Sequence, residues 1–259
     1  MKRVRAKKYL GQHFLNNNTI AQNITKQLDT NLNKNVLEIG PGMGVLTKFL
    51  LNQKLNLKLI EIDAESVQYL KKKFPQVKHD IYEEDFLKIK IQELYKNSVS
   101  VIGNFPYNIS TQILFKVFEN KDQIIQVIGM FQKEVAERLC AKEGKKKGIL
   151  TILLQTFYNI EYCFNVEPDV FFPKPKVNSA VIKLTRNNRE RINCDEKLFI
   201  QIIKSSYNHR RKTLRNALKS FSLGEDKTIT RLLNLRAEQL SINDFIILTN
   251  HVNRERKNK

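Results

Sequence analysis

An α/β domain followed by a small all-helical one is the fold class that three features of this chain predict. Short β-rich runs alternate with helical patterns through the first half. The first of these runs ends in a glycine turn that opens a helix, and residues 195–259 keep helical spacing without strand signals. Alternation of this kind builds βαβ units, whose crossovers give a mostly parallel sheet with helices on both faces.

Taken in order, Asn35–Gly40 reads as a buried strand, with a helix over Val45–Asn52 after its turn. Leu57–Ile62 reads as the second strand, and the helix Ala64–Phe74 behind it stops at Pro75, which lacks the N–H that a helix interior needs. Val77–Tyr82, Val99–Gly103 and Ile124–Phe131 follow as strands, the last leading into the helical Lys133–Ala141. Gly148–Tyr158 and Val177–Leu184 are expected to be later strands. The chain turns polar over Arg186–Arg191, so a domain boundary is placed between 185 and 186. This leaves a domain over 1–185, with a basic arm at 1–15, and a helical domain over 186–259. In the latter, Phe199, Ile202, Ile203 and Tyr207 share one helix face.

Hydrophobic residues form 41% of the 259, enough for a real core, which excludes wholesale disorder. No apolar run nears the ~18 residues of a membrane helix, and the N-terminus lacks the apolar stretch of a signal peptide, so a cytoplasmic protein without a membrane partner is expected. The cysteines Cys140, Cys163 and Cys194 stand far apart without C-x-x-C spacing, so neither disulfide nor metal is expected.

Charge points to a partner. Lys and Arg number 45 against 26 Asp and Glu, a net of 45 − 26 = +19, which suits a polyanion held through its phosphates. The tail 186–259 is the denser surface, at +9. Clusters fall at Lys2/Arg3/Arg5/Lys7/Lys8, at Lys145, Lys146 and Lys147, and at Arg210, Arg211 and Lys212 continuing to Arg215. Lys174 and Lys176 add two cations in a proline-stiffened segment. The last three groups are expected to meet nucleic acid.

Three segments carry candidate chemistry. The turn Glu38-Ile39-Gly40-Pro41-Gly42-Met43-Gly44 follows the first strand, and its glycines let backbone approach a ligand. About twenty residues on, Glu61-Ile62-Asp63 ends the second strand, where an acid accepts from ribose hydroxyls. The spacing differs from the dinucleotide fingerprint, and Pro41 removes an N–H that a pyrophosphate would use. S-adenosylmethionine, a nucleoside without phosphate, fits better. Asp85 follows the third strand and can accept from an adenine amine, with Phe86 packing on the ring. Asn104-Phe105-Pro106-Tyr107 follows the fourth strand. An adenine amine is a weak nucleophile, because its lone pair is delocalised into the ring. A site that alkylates it needs acceptors for its N–H groups and a face to stack the base; Asn104, the Pro106-shaped backbone and Tyr107 supply them. In Phe171-Phe172-Pro173-Lys174-Pro175-Lys176-Val177, Phe171 is expected in the active site, while Phe172 is divided evenly between site and core.

Tyr9–Leu15, the EIGPGMG turn, LIEID, EEDF, GNFPYNIS, FQKEVAERL and FFPKPKVNSAV occur here in one order. The set resembles the ribosomal RNA adenine N6-dimethyltransferases over essentially the whole chain, and HRRKTLRNAL resembles their small-subunit branch. That resemblance implies a Rossmann-like, S-adenosylmethionine-dependent methyltransferase. It implies dimethylation of two adjacent adenosines in a hairpin near the 3′ end of 16S rRNA, in an immature small subunit, by a monomer. By the same resemblance His13 and Leu15 contact the cofactor from the arm, Gly40 lies under its methionine part, Glu61 on its ribose, Asp85 on its adenine, and Asn104 beside the transferred methyl; Gly42, Ile62 and Phe86 are also expected to bind the cofactor. The family often has Asn at the place of His13 and Leu at that of Phe105. A large-subunit (23S) enzyme of the antibiotic-resistance type and a chiefly non-catalytic assembly factor remain the alternatives.

Overall fold

The computed structural model describes residues 4–224 and 227–258, so Lys2 and Arg3 of the first basic cluster lie outside the described residues. Nine strands run along the described residues: β1 (Phe14–Leu15), β2 (Asn35–Ile39), β3 (Asn56–Glu61), β4 (Ile81–Glu83), β5 (Val99–Asn104), β6 (Ile124–Gln132), β7 (Tyr158–Val166), β8 (Phe171–Phe172) and β9 (Ser179–Arg186). Seven form one sheet in the order β4-β3-β2-β5-β6-β9-β7. The five from β4 to β6 are joined in parallel, with Ile39 opposite Ile60, Glu61 opposite Glu83 and Glu38 opposite Ile102. β9 returns antiparallel on β6, with Met130 opposite Val181.

Strands buried on both faces read as continuous apolar runs, and β5 obeys: Val99 to Ile102 are all buried. The chain divides into two compact units, one comprising residues 1–136 and 159–186, the other 137–158 and 187–259. The first holds the sheet, with a core that includes Val36, Leu50, Leu59, Leu70, Ile102, Met130 and Val181. The second is helical. Its helices Ile149–Phe157, Glu196–Asn208 and Ile242–Lys257 bury Leu153, Phe199, Ile202, Ile203, Phe245 and Leu248. Two of them begin at side-chain caps: Asp195 accepts from the Leu198 N–H at 2.9 Å, and Ser241 from that of Asp244 at 3.1 Å.

Four expectations are corrected. Gly148–Tyr158 is not a strand; Ile149–Phe157 is a helix, buried on nearly every side, so its apolar run shows no period that separates helix from strand. The strand starts where it ends, at Tyr158, and as an edge strand with exposed Asn159 and Glu161 it has no apolar signature. The third strand is Ile81–Glu83 rather than Val77–Tyr82, because Pro75 opens a 3₁₀ turn through Val77. The helix after the glycine turn shrinks to Thr47–Leu50, the preceding residues being held in turns. The segment 137–158 clusters with the helical unit rather than with the sheet.

Two further elements, unread in the sequence, bound the site. β1 and β8 pair antiparallel, with Phe14 opposite Phe172 and Leu15 opposite Phe171. Parallel pairing also brings the carboxyl ends of β2, β3, β4 and β5 to one edge, where ligands of such sheets bind. The glycine turn, Glu61, Asp85 and Asn104 therefore meet although they are spread over more than sixty residues.

Candidate active site

The glycine turn is built on positive φ: Gly40 at 64°, Gly42 at 55° and Gly44 at 74°. A Cβ on Gly44 would stand 2.3 Å from the Phe74 ring, and one on Gly42 2.8 Å from that of Phe14, so these two glycines admit aromatic neighbours. Gly40 differs. A Cβ there would meet only Pro106 at 3.8 Å and the Asn104 carbonyl at 4.0 Å, and would project into an open cleft. Gly40 thus keeps clear the floor that a ligand would lie on.

Glu61 faces this floor from the end of β3. One carboxylate oxygen accepts from the Gly42 N–H and the other from the Asp63 N–H, each at 2.9 Å. Burial pushes its carboxyl above the usual range, against those backbone hydrogen bonds. Each oxygen retains a lone pair for a ribose hydroxyl. A cavity of about 240 Å³ opens beside it, lined among others by Gly40, Glu61, Ile62, Asp85, Phe86 and Pro106. Asp85 spends one oxygen on the Leu87 N–H at 2.9 Å. Phe86 is buried, with the Lys116 ammonium 5.2 Å from its ring centre. Fixed acceptors for a ribose and an adenine amine, apolar walls and a bare glycine floor fit S-adenosylmethionine.

A second hollow adjoins the first and shares Gly40, Glu61, Ile62 and Pro106 with it. It is completed by residues of the arm, His13 and Phe14 among them, and by Asn104 and Tyr107. The Asn104 amide nitrogen donates to the His13 carbonyl at 2.8 Å, which fixes its orientation and leaves its carbonyl oxygen as an acceptor. The Pro106 carbonyl accepts from the Ile109 N–H at 3.2 Å, so the tetrapeptide ends in a closed turn. Phe105 is buried, its ring packing edge-on against Phe131 at 5.2 Å. The room for these rings comes from glycine: a Cβ on Gly129 would lie 2.4 Å from Phe131 and 2.5 Å from Phe105. Tyr107 is half-buried, its ring stacked on that of His13 at 5.4 Å and 28°.

The arm itself is clamped in place. Buried Asp63 receives Lys7 and Gln12 from the arm and Ser66 at 2.8 Å from its own helix. Burial acts upward on the Asp63 carboxyl, yet these hydrogen bonds together hold it below the usual carboxylate range. His13 Nδ1 lies 2.6 Å from the Pro173 carbonyl, which ties the arm to the proline segment as well.

Sequence reading missed one acid. Glu38 lies fully buried under the glycine turn and borders a hollow with Leu15, Gly40, Gly42 and Asn104. It accepts from the Thr47 hydroxyl at 2.7 Å, and burial pushes its carboxyl up to about 8. A charged residue inside an otherwise apolar strand was its signal.

Two expected site residues lie elsewhere. Phe171 is packed in the core with Leu15 and Val181, while Phe172 is the exposed ring, at 55%. The pleat explains the exchange, because successive side chains of a strand point to opposite faces and Phe171 is paired with buried Leu15. Lys147 is likewise no surface cation. It is 5% exposed, donates to the Leu240 carbonyl at 2.8 Å, and burial lowers its ammonium.

The other basic residues remain at the surface. Lys145, Arg210 and Arg211, joined by Arg236, line one groove of the helical unit, where Arg210 pairs with Glu238 at 3.2 Å. Lys212, Arg215 and Lys176 are exposed, Lys146 pairs with Glu137 at 2.7 Å and Lys174 with Asp169. Among the described residues no group of three or more His, Cys, Asp or Glu could hold a metal, and no helix is long and apolar enough to cross a membrane.

A family model described as ribosomal RNA adenine dimethylase matches residues 3–253. The ribosomal RNA small subunit methyltransferase A of Cytophaga hutchinsonii is 54% identical over 253 residues, covering 96% of this chain and 98% of the relative. Its counterpart in Bacteroides fragilis is 51% identical over 256 residues, covering 97% and 94%. Among solved structures, a dimethyladenosine transferase from Plasmodium falciparum shares the fold with a TM-score of 0.77 at 24% identity, over 94% of this chain and 98% of that one. The 23S rRNA methyltransferase ErmE does so at 0.73 and 20% identity, over 93% and 99%. Matched from one end to nearly the other, and with the cleft its chemistry requires, this chain belongs to the ribosomal RNA adenine dimethylases.

Proposed function

We propose that this chain dimethylates N6 of two adjacent adenosines in a hairpin near the 3′ end of 16S rRNA, acting as a monomer on an immature small subunit in the cytoplasm. The reaction type rests above all on one observation: Asn104 donates to the His13 carbonyl, so its oxygen is the atom presented for an amine N–H. Bound S-adenosylmethionine would supply an electrophilic methyl group. Glu61 and Ile62 would hold its ribose, Asp85 and Phe86 its adenine, and Gly40 and Gly42 its methionine part.

The residues of the second hollow act on the target base. Asn104 accepts from the amine and draws its lone pair out of conjugation, and Tyr107 offers a face on which the extruded adenine stacks. No base of shifted pKa is needed beforehand, because the amine becomes acidic only once alkylated. Rate then comes mainly from holding nitrogen and methyl carbon in line. Exposed Lys145, Lys146, Arg210, Arg211, Lys212 and Arg215 of the helical unit, and Lys174 and Lys176, supply phosphate affinity without reading sequence. The relatives named for the small subunit favour that target over a 23S adenine.

Incubation with labelled S-adenosylmethionine and separate small- and large-subunit particles tests the reading. Label should enter two adjacent adenosines of 16S rRNA as dimethyladenosine; label confined to 23S rRNA would refute it. A catalytically dead variant that still restored subunit assembly in full would transfer the main role to binding.

A further inference from the structure

We propose that Ser179 is a positioning residue for the methylation, acting through the hydroxyl of Tyr107. The inference rests on the reading of the second hollow as the adenine site. Sequence alone assigns the Tyr107 hydroxyl no task, because a phenylalanine ring would stack as well. The structure assigns it one: the hydroxyl is hydrogen-bonded to the Ser179 Oγ.

Ser179 is suited to hold that ring. It is fully buried and opens β9, where its backbone is set opposite Gln132 of β6, so its hydroxyl has little freedom to turn elsewhere. The neighbouring Asn178 carbonyl accepts from the Lys133 N–H at 2.9 Å, fixing the strand's first residues further. The base of Tyr107 is tied independently, since the Ser110 hydroxyl donates to the Tyr107 carbonyl at 3.1 Å. One face of its ring lies on His13. The ring is thus held at its backbone, on one face and at its tip. The hold at the tip rests on Ser179, which lines neither the cofactor cavity nor the second hollow.

The function of such an anchor is to stop rotation about the Tyr107 side-chain bonds. A base captured on a ring of defined angle places its amine beside Asn104; one captured on a wandering ring does so only part of the time. Alignment of reacting atoms is sensitive to displacements of this size. The anchor therefore acts on the transfer step and on capture of the adenine, and leaves the cofactor cavity alone, because Ser179 does not line it.

The test is a double-mutant cycle of Ser179→Ala and Tyr107→Phe, read by single-turnover transfer to small-subunit particles and by calorimetric affinity for S-adenosylmethionine. Each single variant should slow transfer about fivefold, the equivalent of one hydrogen bond removed, with cofactor affinity within twofold of wild type. The double variant should be no slower than either single one, because both remove the same hydrogen bond. A fall of about twenty-fivefold in the double variant, a wild-type rate in either single variant, or loss of cofactor affinity in Ser179→Ala would each overturn the proposal. A wild-type protein inactive on small-subunit particles would instead refute the assigned reaction.

Discussion

At the scale of residues, one polar atom set by its neighbour carries the proposed chemistry. Asn104→Ala should leave cofactor and RNA binding within several-fold of wild type while lowering methyl transfer a hundredfold or more, on the order of one well-placed transition-state contact. Nucleoside mass spectrometry should also show monomethyladenosine accumulating, since the monomethylated amine must re-enter the same site. Near-normal dimethyladenosine under single-turnover conditions would contradict this role. Glu61→Ala removes a buried acceptor and the bracing of Gly42, so S-adenosylmethionine should bind ten- to a hundredfold more weakly, roughly 1.5–3 kcal/mol, in a calorimetric titration. Glu38 makes a prediction in pH. Its folded-state value of about 8 stands above the ordinary 4.5, so the folded chain holds this proton more tightly and loses stability as pH rises between those values. Glu61 adds to the same decline, whereas Asp63, shifted downward, contributes stability that is lost only on acidification. Urea midpoints should accordingly drop less from pH 5 to pH 8 in Glu38→Gln than in wild type; an unchanged drop would remove Glu38 from this account.

Among elements, the short pair β1 and β8 shows how alternation distributes two adjacent aromatics. Phe171→Ala should cost about 3–5 kcal/mol, the range for emptying a buried aromatic site, while Phe172→Ala should leave the unfolding midpoint nearly unchanged. Equal effects of the two would mean that the register of the pair is otherwise. The residue types were legible here and the sidedness was not, because a strand of two residues has no period to read. A related limit explains Ile149–Phe157, whose apolar run is a helix with nearly every residue buried, so that no period shows. By contrast, β2, β5 and β6 stood out as largely apolar runs bounded by turns, since strands covered on both faces take mostly apolar residues. The fit behind the tetrapeptide was also hidden: Phe105 occupies space that exists only because residues 103 and 129 are glycine.

For the whole molecule, charge and burial must be read together. A net charge of +19 announced a polyanionic partner, and neutralising Arg210, Arg211 and Lys212 should flatten the dependence of rRNA affinity on salt by about 2 in the log–log slope, at ~0.7 for each phosphate no longer neutralised. Lys147→Ala should leave that slope alone and lower stability instead, because its ammonium serves the Leu240 carbonyl. A slope unaffected by the triple variant would move the RNA surface elsewhere.

The fold class, the glycine turn with its acid at the next strand end, the tetrapeptide and the excess of positive charge were all legible in the chain alone. Each of these is a local pattern, set by spacing, backbone freedom or composition. Tertiary contacts set what each group does: the Asn104 oxygen is turned outward by the His13 carbonyl, the Tyr107 hydroxyl is held by Ser179, Glu38 and Phe171 are buried, and Lys147 is out of solvent. Those choices depend on contacts between segments far apart in the chain, as Asn104 lies 91 residues from His13 and Ser179 lies 72 from Tyr107. No local period or composition records them, because the partner that orients each group arrives only when segments distant in the chain fold together.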